Sequence, residues 1–272
     1  MLARLRAGDA EPYLAHAARR GRLAVEENPT TAKERLLHDW WREARRNPTA
    51  SVMLAYRRAD VDELNRAAHA LMLRDCRLDD RSVTLGNREY RVGDKVLCRK
   101  NDNHLGLRNG MRGTVVGLED DELTVRDART ARRVPFEYAA EHLHYGYALT
   151  GHAAQGITVD RAFVLFPDHG ALREWGYVAC TRARLETRVY LAGTDALDRE
   201  TPLREPEPAA PAERASRALQ RPAAEAVAVK QRERPHDSIF SLVSEQQAQL
   251  DRQQRRTSEL LTVAQCEVAR LR

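Results

Sequence analysis

The strongest constraint on the fold is a pair of short, apolar and bounded runs, Ser51-Val-Met-Leu-Ala-Tyr56 and Arg161-Ala-Phe-Val-Leu-Phe166. A strand of that kind needs cover on both faces, as in a parallel sheet sandwiched by helices. Asn47-Pro48 halts a helix before the first run, and Pro167 closes the second. From about Asp60 a helix follows, with Val61, Leu64, Ala68, Leu71 and Met72 on one face. Trp175 to Thr181 reads as another helix and Thr187-Arg-Val-Tyr-Leu191 as a third strand. Strand followed by helix, repeated, is the pattern of an α/β protein.

Four other textures surround this unit. Residues 1–48 read as a helical lead-in, broken at Gly21 between Arg19, Arg20 and Arg22. Within it Thr31 can cap a helix, with Glu34 three positions on. Residues 88–145 change character: Gly93, Gly106, Gly110, Gly113 and Gly117 separate short β-rich runs such as Lys95-Val-Leu-Cys98 and Glu122-Leu-Thr-Val125. That stretch reads as a small SH3-like β-barrel inserted between residues 49–87 and 146–194. Residues 195–237 hold six of the eleven prolines between Pro202 and Pro235 and read as a disordered linker. Residues 238–272 read as a C-terminal helix with an irregular apolar stripe.

Lys+Arg number 45 against 40 Asp+Glu, for a net charge of +5. Only Lys33, Lys95, Lys100 and Lys230 are lysine. A basic chain suits nucleic acid, although a GC-rich genome gives the same arginine bias. No apolar run approaches the roughly 18 to 20 residues that span a bilayer, and Met1 to Gly21 lacks the apolar core of a signal peptide. Cys76, Cys98, Cys180 and Cys266 form no Cys-x-x-Cys pair, so neither a metal site nor a disulfide framework is expected. The expectation is a cytoplasmic protein with no membrane partner.

Two segments can carry chemistry. Tyr147-Ala-Leu-Thr150-Gly-His152-Ala-Ala-Gln155-Gly156-Ile-Thr158 is a polar loop at a sheet edge. Backbone N–H groups and threonine hydroxyls there suit phosphate; an ordinary connection with a capping threonine explains the same residues. Arg173-Glu-Trp-Gly-Tyr177-Val-Ala-Cys-Thr181-Arg182-Ala-Arg184 would place Tyr177, Thr181 and Arg184 on adjacent helical faces. An arginine at a rigid helix end can meet a phosphate as a planar fork; a surface ion pair with Glu174 or Glu186 is the alternative.

In order and spacing these segments resemble the late motifs of superfamily 1 DNA helicases of the RecD-like branch, and most closely the helicase half of MobF-type conjugative relaxases. Tyr147 to Gly156 looks like motif V, Tyr177 to Ala183 like motif VI, and Val52-Met-Leu-Ala-Tyr-Arg57-Arg58 like motif IV. Asp39-Trp40-Trp41, Ala59 to Asn65 and Leu105-Gly-Leu-Arg-Asn-Gly110 fit the same family. The resemblance covers roughly Met1 to Ala192. It implies a second RecA-like domain with helices around a parallel sheet, interrupted by the SH3-like 2B element.

The resemblance also assigns roles. Arg182 matches the arginine finger that meets the γ-phosphate. Arg57, with Arg58 as the register alternative, matches the motif IV arginine. Gln155 and Gly156 match the nucleotide-coupled part of motif V, although Thr158 stands where many members have a ribose-binding glutamate. Thr150 and His152 match contacts to single-stranded DNA. Arg99, Lys100, Arg108 and Arg112 of the insertion could steer the strand by charge. No Gly-x-x-x-x-Gly-Lys-Ser/Thr run occurs. ATP and Mg²⁺ are therefore expected only in combination with a first RecA-like domain, separately encoded or lost, and none with this chain alone. The competing reading is a stand-alone nucleic-acid-binding or interaction module without ATPase activity.

Overall fold

The computed structural model describes residues 2–128, 130–167, 172–192 and 210–221. From the N-terminus, α1 (Leu2–Arg6) and α2 (Glu11–Arg19) precede β1 (Leu23–Glu26), α3 (Pro29–Ala44), β2 (Ser51–Ala55) and α4 (Arg58–Arg74). An antiparallel region follows: β3 (Ser82–Leu85), β4 (Arg88–Arg91), β5 (Lys95–Cys98), β6 (Arg112–Leu118), β7 (Glu122–Arg126), β8 (Ala131–Pro135), α5 (Phe136–His142) and β9 (Leu143–Tyr145). The chain then forms β10 (Ala148–Thr150), β11 (Val159–Phe166), α6 (Arg173–Cys180), β12 (Ala183–Ala192) and α7 (Pro211–Gln220).

The fold is α/β. Its central sheet has the order β1-β12-β11-β2-β10, and every pairing is parallel. The two apolar runs are neighbours: β11 pairs β2 with Phe163 opposite Met53 and Leu165 opposite Ala55. Because side chains alternate across a strand, Val52, Leu54, Val164, Phe166, Val189 and Leu191 face one core with α1, α2, α6 and α7. Met53, Ala55, Phe163, Leu165 and Tyr190 face the other, under Leu36, Trp40 and Ala44 of α3 and Leu64 and Ala68 of α4.

Three expectations change. The lead-in is not all helix, because Leu23–Glu26 is a strand, with Leu23 opposite Val189 of β12. Four residues carry little local signal; a partner about 165 positions away decides them. Helix α3 starts earlier than expected. Asn28 is its N-cap and accepts the Thr31 N–H at 3.0 Å, while Thr31 Oγ1 accepts the Asn28 N–H at 3.3 Å. Thr31 therefore closes a capping box from inside the helix instead of opening it. Finally, Pro211–Gln220 within the expected linker is helical, with Pro211 in its first turn and Ala215, Ala218 and Leu219 buried. Gly176 of α6 makes room for it: a Cβ there would sit 2.1 Å from Leu219 Cδ2. The expected C-terminal helix at 238–272 lies outside the described residues.

The inserted region forms a second sheet of order β8-β7-β6-β5-β9 and a β3-β4 hairpin, all antiparallel. It starts at Ser82 rather than 88, because β3 pairs with β4. Asp94, fully buried, ties the insertion to the parallel layer by accepting from His69 Nδ1 of α4 at 2.8 Å and the Tyr147 hydroxyl at 2.6 Å.

Candidate nucleotide and nucleic-acid site

Strand β10 delivers Thr150 to the carboxyl edge of the parallel sheet, level with Ala55 at the end of β2. There the chain winds at once into turns. Thr150 Oγ1 accepts the Ala153 N–H at 3.3 Å and the Thr150 carbonyl accepts the Ala154 N–H at 3.0 Å. Ala154 is buried beneath the loop, and His152, Gln155 and Gly156 are exposed on it. The two glycines do different work. Gly156 has φ +83° with open space around it, so conformation demands it. At Gly151 a Cβ would lie 2.5 Å from both Cδ1 and Nε1 of Trp175, so the indole of α6 rests on the loop backbone.

Arg182 lies where the loop meets the end of α6. Its Nε donates to the Val178 carbonyl at 2.8 Å, Nη2 to Thr181 Oγ1 at 2.8 Å and Nη1 to the Ile157 carbonyl at 3.4 Å. Its own carbonyl accepts the Val159 N–H at 3.0 Å. The guanidinium thus adds to the bonds that close the C-terminus of α6 and grips the residue after Gly156. Each terminal nitrogen keeps an N–H that no described residue takes.

Arg184 has a different place from the one spacing predicted. Helix α6 ends at Cys180, so Arg184 stands on β12 and binds Asp160 Oδ1 through Nε at 3.1 Å and Nη2 at 2.8 Å. Glu186, one of the two acids offered as alternative ion-pair partners, is taken by Arg188 at 2.8 Å and by Arg161 and Arg22.

Arg57 is the N-cap residue of α4, just past the end of β2. Burial raises the nearby Asp60 carboxyl above its ordinary range, opposed by the charges of Lys33 and Arg57. Beside Arg57, Tyr56 is 40% exposed and meets Trp175 edge-on at 5.6 Å. With Leu165 opposite Ala55 and Val159 opposite Ala183, Arg57 and Arg182 sit at opposite edges of the sheet. A strand rise of about 3.3 Å per residue puts the two edges on the order of 20 Å apart. The structure therefore joins Arg182 to the Gln155-Gly156 loop, and gathers Arg57 with Thr150 and His152.

In the insertion, Arg108 is exposed on the connection between β5 and β6. That connection is anchored by buried Leu107, which bridges Asp102. Arg112 is a correction to the steering role expected of it. Its Nε donates to the Gly146 carbonyl at 2.8 Å and Nη2 reaches the Ser51 carbonyl at 3.4 Å. Burial pulls its pKa down to about 10. Arg112 is spent on fastening the insertion to the parallel sheet. Sequence reasoning also passed over Asn65, whose amide binds the outer edge of β10, because an asparagine on a helix gives no local sign of such a role.

No family model matches the chain. Among curated proteins it is 35% identical over 177 residues to a probable conjugal transfer protein TraA of Sinorhizobium fredii, covering 62% of this chain and 16% of that protein. It is 34% identical over 189 residues to the conjugal transfer protein TraA of Agrobacterium fabrum, covering 67% and 17%. To the multifunctional conjugation protein TraI of Escherichia coli it is 29% identical over 106 residues, covering 36% and 6%. The chain thus spans a small part of the length of these relatives. Among solved structures, a Bacteroides Pif1 helicase in complex with ADP-AlF3 and ssDNA is 21% identical, covering 59% of this chain and 44% of that one, with a TM-score of 0.39. Pif1 helicase from Candida albicans is 17% identical, covering 57% and 48%, with a TM-score of 0.36. Among the described residues no helix is long and apolar enough to cross a membrane.

Proposed function

We propose that this chain, a relative of one segment of the TraA conjugal transfer proteins, is the second RecA-like domain of an ATP-dependent single-stranded DNA translocase. The insertion, by its size and place, is read as the SH3-like 2B element. The observation that carries the proposal is Arg182, held at the junction of α6 and β12 against the loop that contains Gln155 and Gly156. Phosphoryl transfer spreads negative charge over the γ-phosphoryl oxygens. A fixed guanidinium there accelerates comparable reactions by roughly 10³ to 10⁵.

On this reading Arg182 supplies the finger, and Gln155 and Gly156 pass the nucleotide state to the loop. Arg57, on the order of 20 Å from Arg182 across the sheet, stands with Thr150 and His152 rather than with the nucleotide. Thr150 and His152 touch the DNA backbone, assisted by Arg108. A phosphate loop, absent from these 272 residues, has to come from a first RecA-like domain, and ATP and Mg²⁺ bind only with it. The test is to combine the chain with a phosphate-loop-bearing first domain of a TraA protein and measure ATP turnover with and without single-stranded DNA. DNA-stimulated turnover that depends on this chain supports the reading. Turnover by the first domain that ignores this chain favours a stand-alone binding module.

A further inference from the structure

We propose that the amino edge of the parallel sheet is a second, sequence-independent contact for a nucleic-acid phosphate backbone, carried by Arg19, Arg20, Arg42, Arg45 and Arg46. It lies across the sheet from Thr150 and His152. Arg19 and Arg20 end α2, and Arg42, Arg45 and Arg46 end α3. All five are exposed, and none makes a side-chain hydrogen bond or ion pair with another described residue.

The acids of this edge are already taken. Glu43 pairs with Arg161 at 3.1 Å, Asp160 with Arg184 at 2.8 Å, and Glu186 with Arg188 at 2.8 Å and Arg22 at 3.6 Å. Arg161 also reaches Glu186, at 3.7 Å. The chain Arg22–Glu186–Arg161–Glu43 thus runs from the end of α2 to the end of α3, so the two arginine groups flank one strip. The positive field is felt locally: His16 is lowered first by desolvation and then by Arg20, Arg19 and Arg22.

One basic residue in a last helical turn is accounted for by the helix dipole. Two at the end of α2 and three at the end of α3, on opposite faces of the sheet but at the same edge, exceed that. The partner is a polyanion rather than a protein face, because protein interfaces are built on a buried apolar centre. Leu185, 63% exposed, is the one large apolar side chain displayed at the start of β12. Guanidinium groups spread over two helix ends suit phosphates, which they bind as forks without reading bases.

This inference rests on the nucleic-acid part of the proposed function but uses different residues, so the two can fail separately. The test is a salt titration of a fluorescent oligo-dT binding to the full chain. Three proteins are compared: wild type, the quadruple variant Arg19→Glu/Arg20→Glu/Arg45→Glu/Arg46→Glu, and Thr150→Ala/His152→Ala. Circular dichroism confirms folding, and an Arg→Gln version replaces the quadruple variant if it fails to fold. Each lost phosphate contact should flatten the slope of log affinity against log salt by about 0.7. The quadruple variant should therefore lose about three units of slope and bind at least about tenfold more weakly near 0.1 M salt. An unchanged slope overturns the inference, and loss of binding in Thr150→Ala/His152→Ala alone does so while sparing the earlier reading. Loss in the quadruple variant alone supports the inference and contradicts the DNA role of Thr150 and His152. Displacement of oligo-dT by polyglutamate of matched charge, as effective as displacement by DNA, overturns the choice of nucleic acid.

Discussion

Asn65 of α4 acts as the missing neighbour of strand β10 at Ala148. Its Oδ1 accepts the Ala148 N–H at 2.8 Å and its Nδ2 donates to the Ala148 carbonyl at 3.0 Å. The Tyr147 N–H also donates to Oδ1, at 3.0 Å. One buried side chain thereby satisfies an edge that would otherwise lie unpaired, and it fixes the strand that delivers Thr150. Replacing Asn65 with Ala leaves buried backbone groups orphaned at roughly 1–3 kcal/mol each. With three groups affected, the expected loss is at least about 3 kcal/mol in urea unfolding, together with weaker oligonucleotide binding.

Gly151 and Trp175 form a second coupled pair. A Cβ at 151 would lie 2.5 Å from the indole, so Gly151→Ala should cost about 1–3 kcal/mol through overpacking. Shrinking the ring should relieve the clash. In a double-mutant cycle with Trp175→Leu, the combined loss is expected to fall short of the sum of the two single losses. Strict additivity would show that the two do not touch.

Arg108 and Arg112, similar in sequence, should separate cleanly. Arg112→Ala removes the bonds to Gly146 and Ser51 and should lower the melting temperature while leaving the salt slope of DNA binding unchanged. Arg108→Ala should leave stability unchanged and flatten the slope by about 0.7.

Much of this was legible in the sequence, for a physical reason. Strands β2 and β11 and the second half of β12 announce themselves because burial on both faces leaves apolar side chains at nearly every position, and α4 because one buried face repeats at helical spacing. Strand β1 and the tie made by Arg112 depend on partners far along the chain, which no local pattern encodes. The α7 helix was hidden by composition: Pro211 signals a break in a linker and a first turn in a helix with equal force. Of the site, the grip of Arg182 on Ile157 follows the order of the two motifs, whereas the place of Arg184 required knowing where α6 stops.

Lys95 gives the pH dependence a sign. It is 6% exposed, its ammonium is bonded to Thr114 Oγ1 at 2.7 Å, and burial followed by the charge of Arg112 lowers its pKa to about 8 from the ordinary 10.5. Between those values the unfolded chain holds the proton more tightly than the folded one, so stability rises with pH across that window. The penalty of the buried charge is fully present below pH 8. Above about pH 10 buried tyrosines such as Tyr147, whose ionisation folding opposes, reverse the trend. Chemical denaturation at pH 7, 8 and 9 should show the rise in wild type, and Lys95→Met should flatten it.

The central claim is that Arg182, and not its neighbour Arg184, meets the nucleotide. The most direct measurement is kcat for DNA-stimulated ATP turnover by the chain combined with a phosphate-loop-bearing first domain, in wild type, Arg182→Ala, Arg182→Lys and Arg184→Ala. Arg182→Ala should lower kcat by roughly 10³-fold or more. Arg182→Lys should fail nearly as far, because a point charge lacks the planar fork, and Arg184→Ala, which loses only its pair with Asp160, should stay near wild type. Near-normal turnover in Arg182→Ala with a collapse in Arg184→Ala would contradict the account.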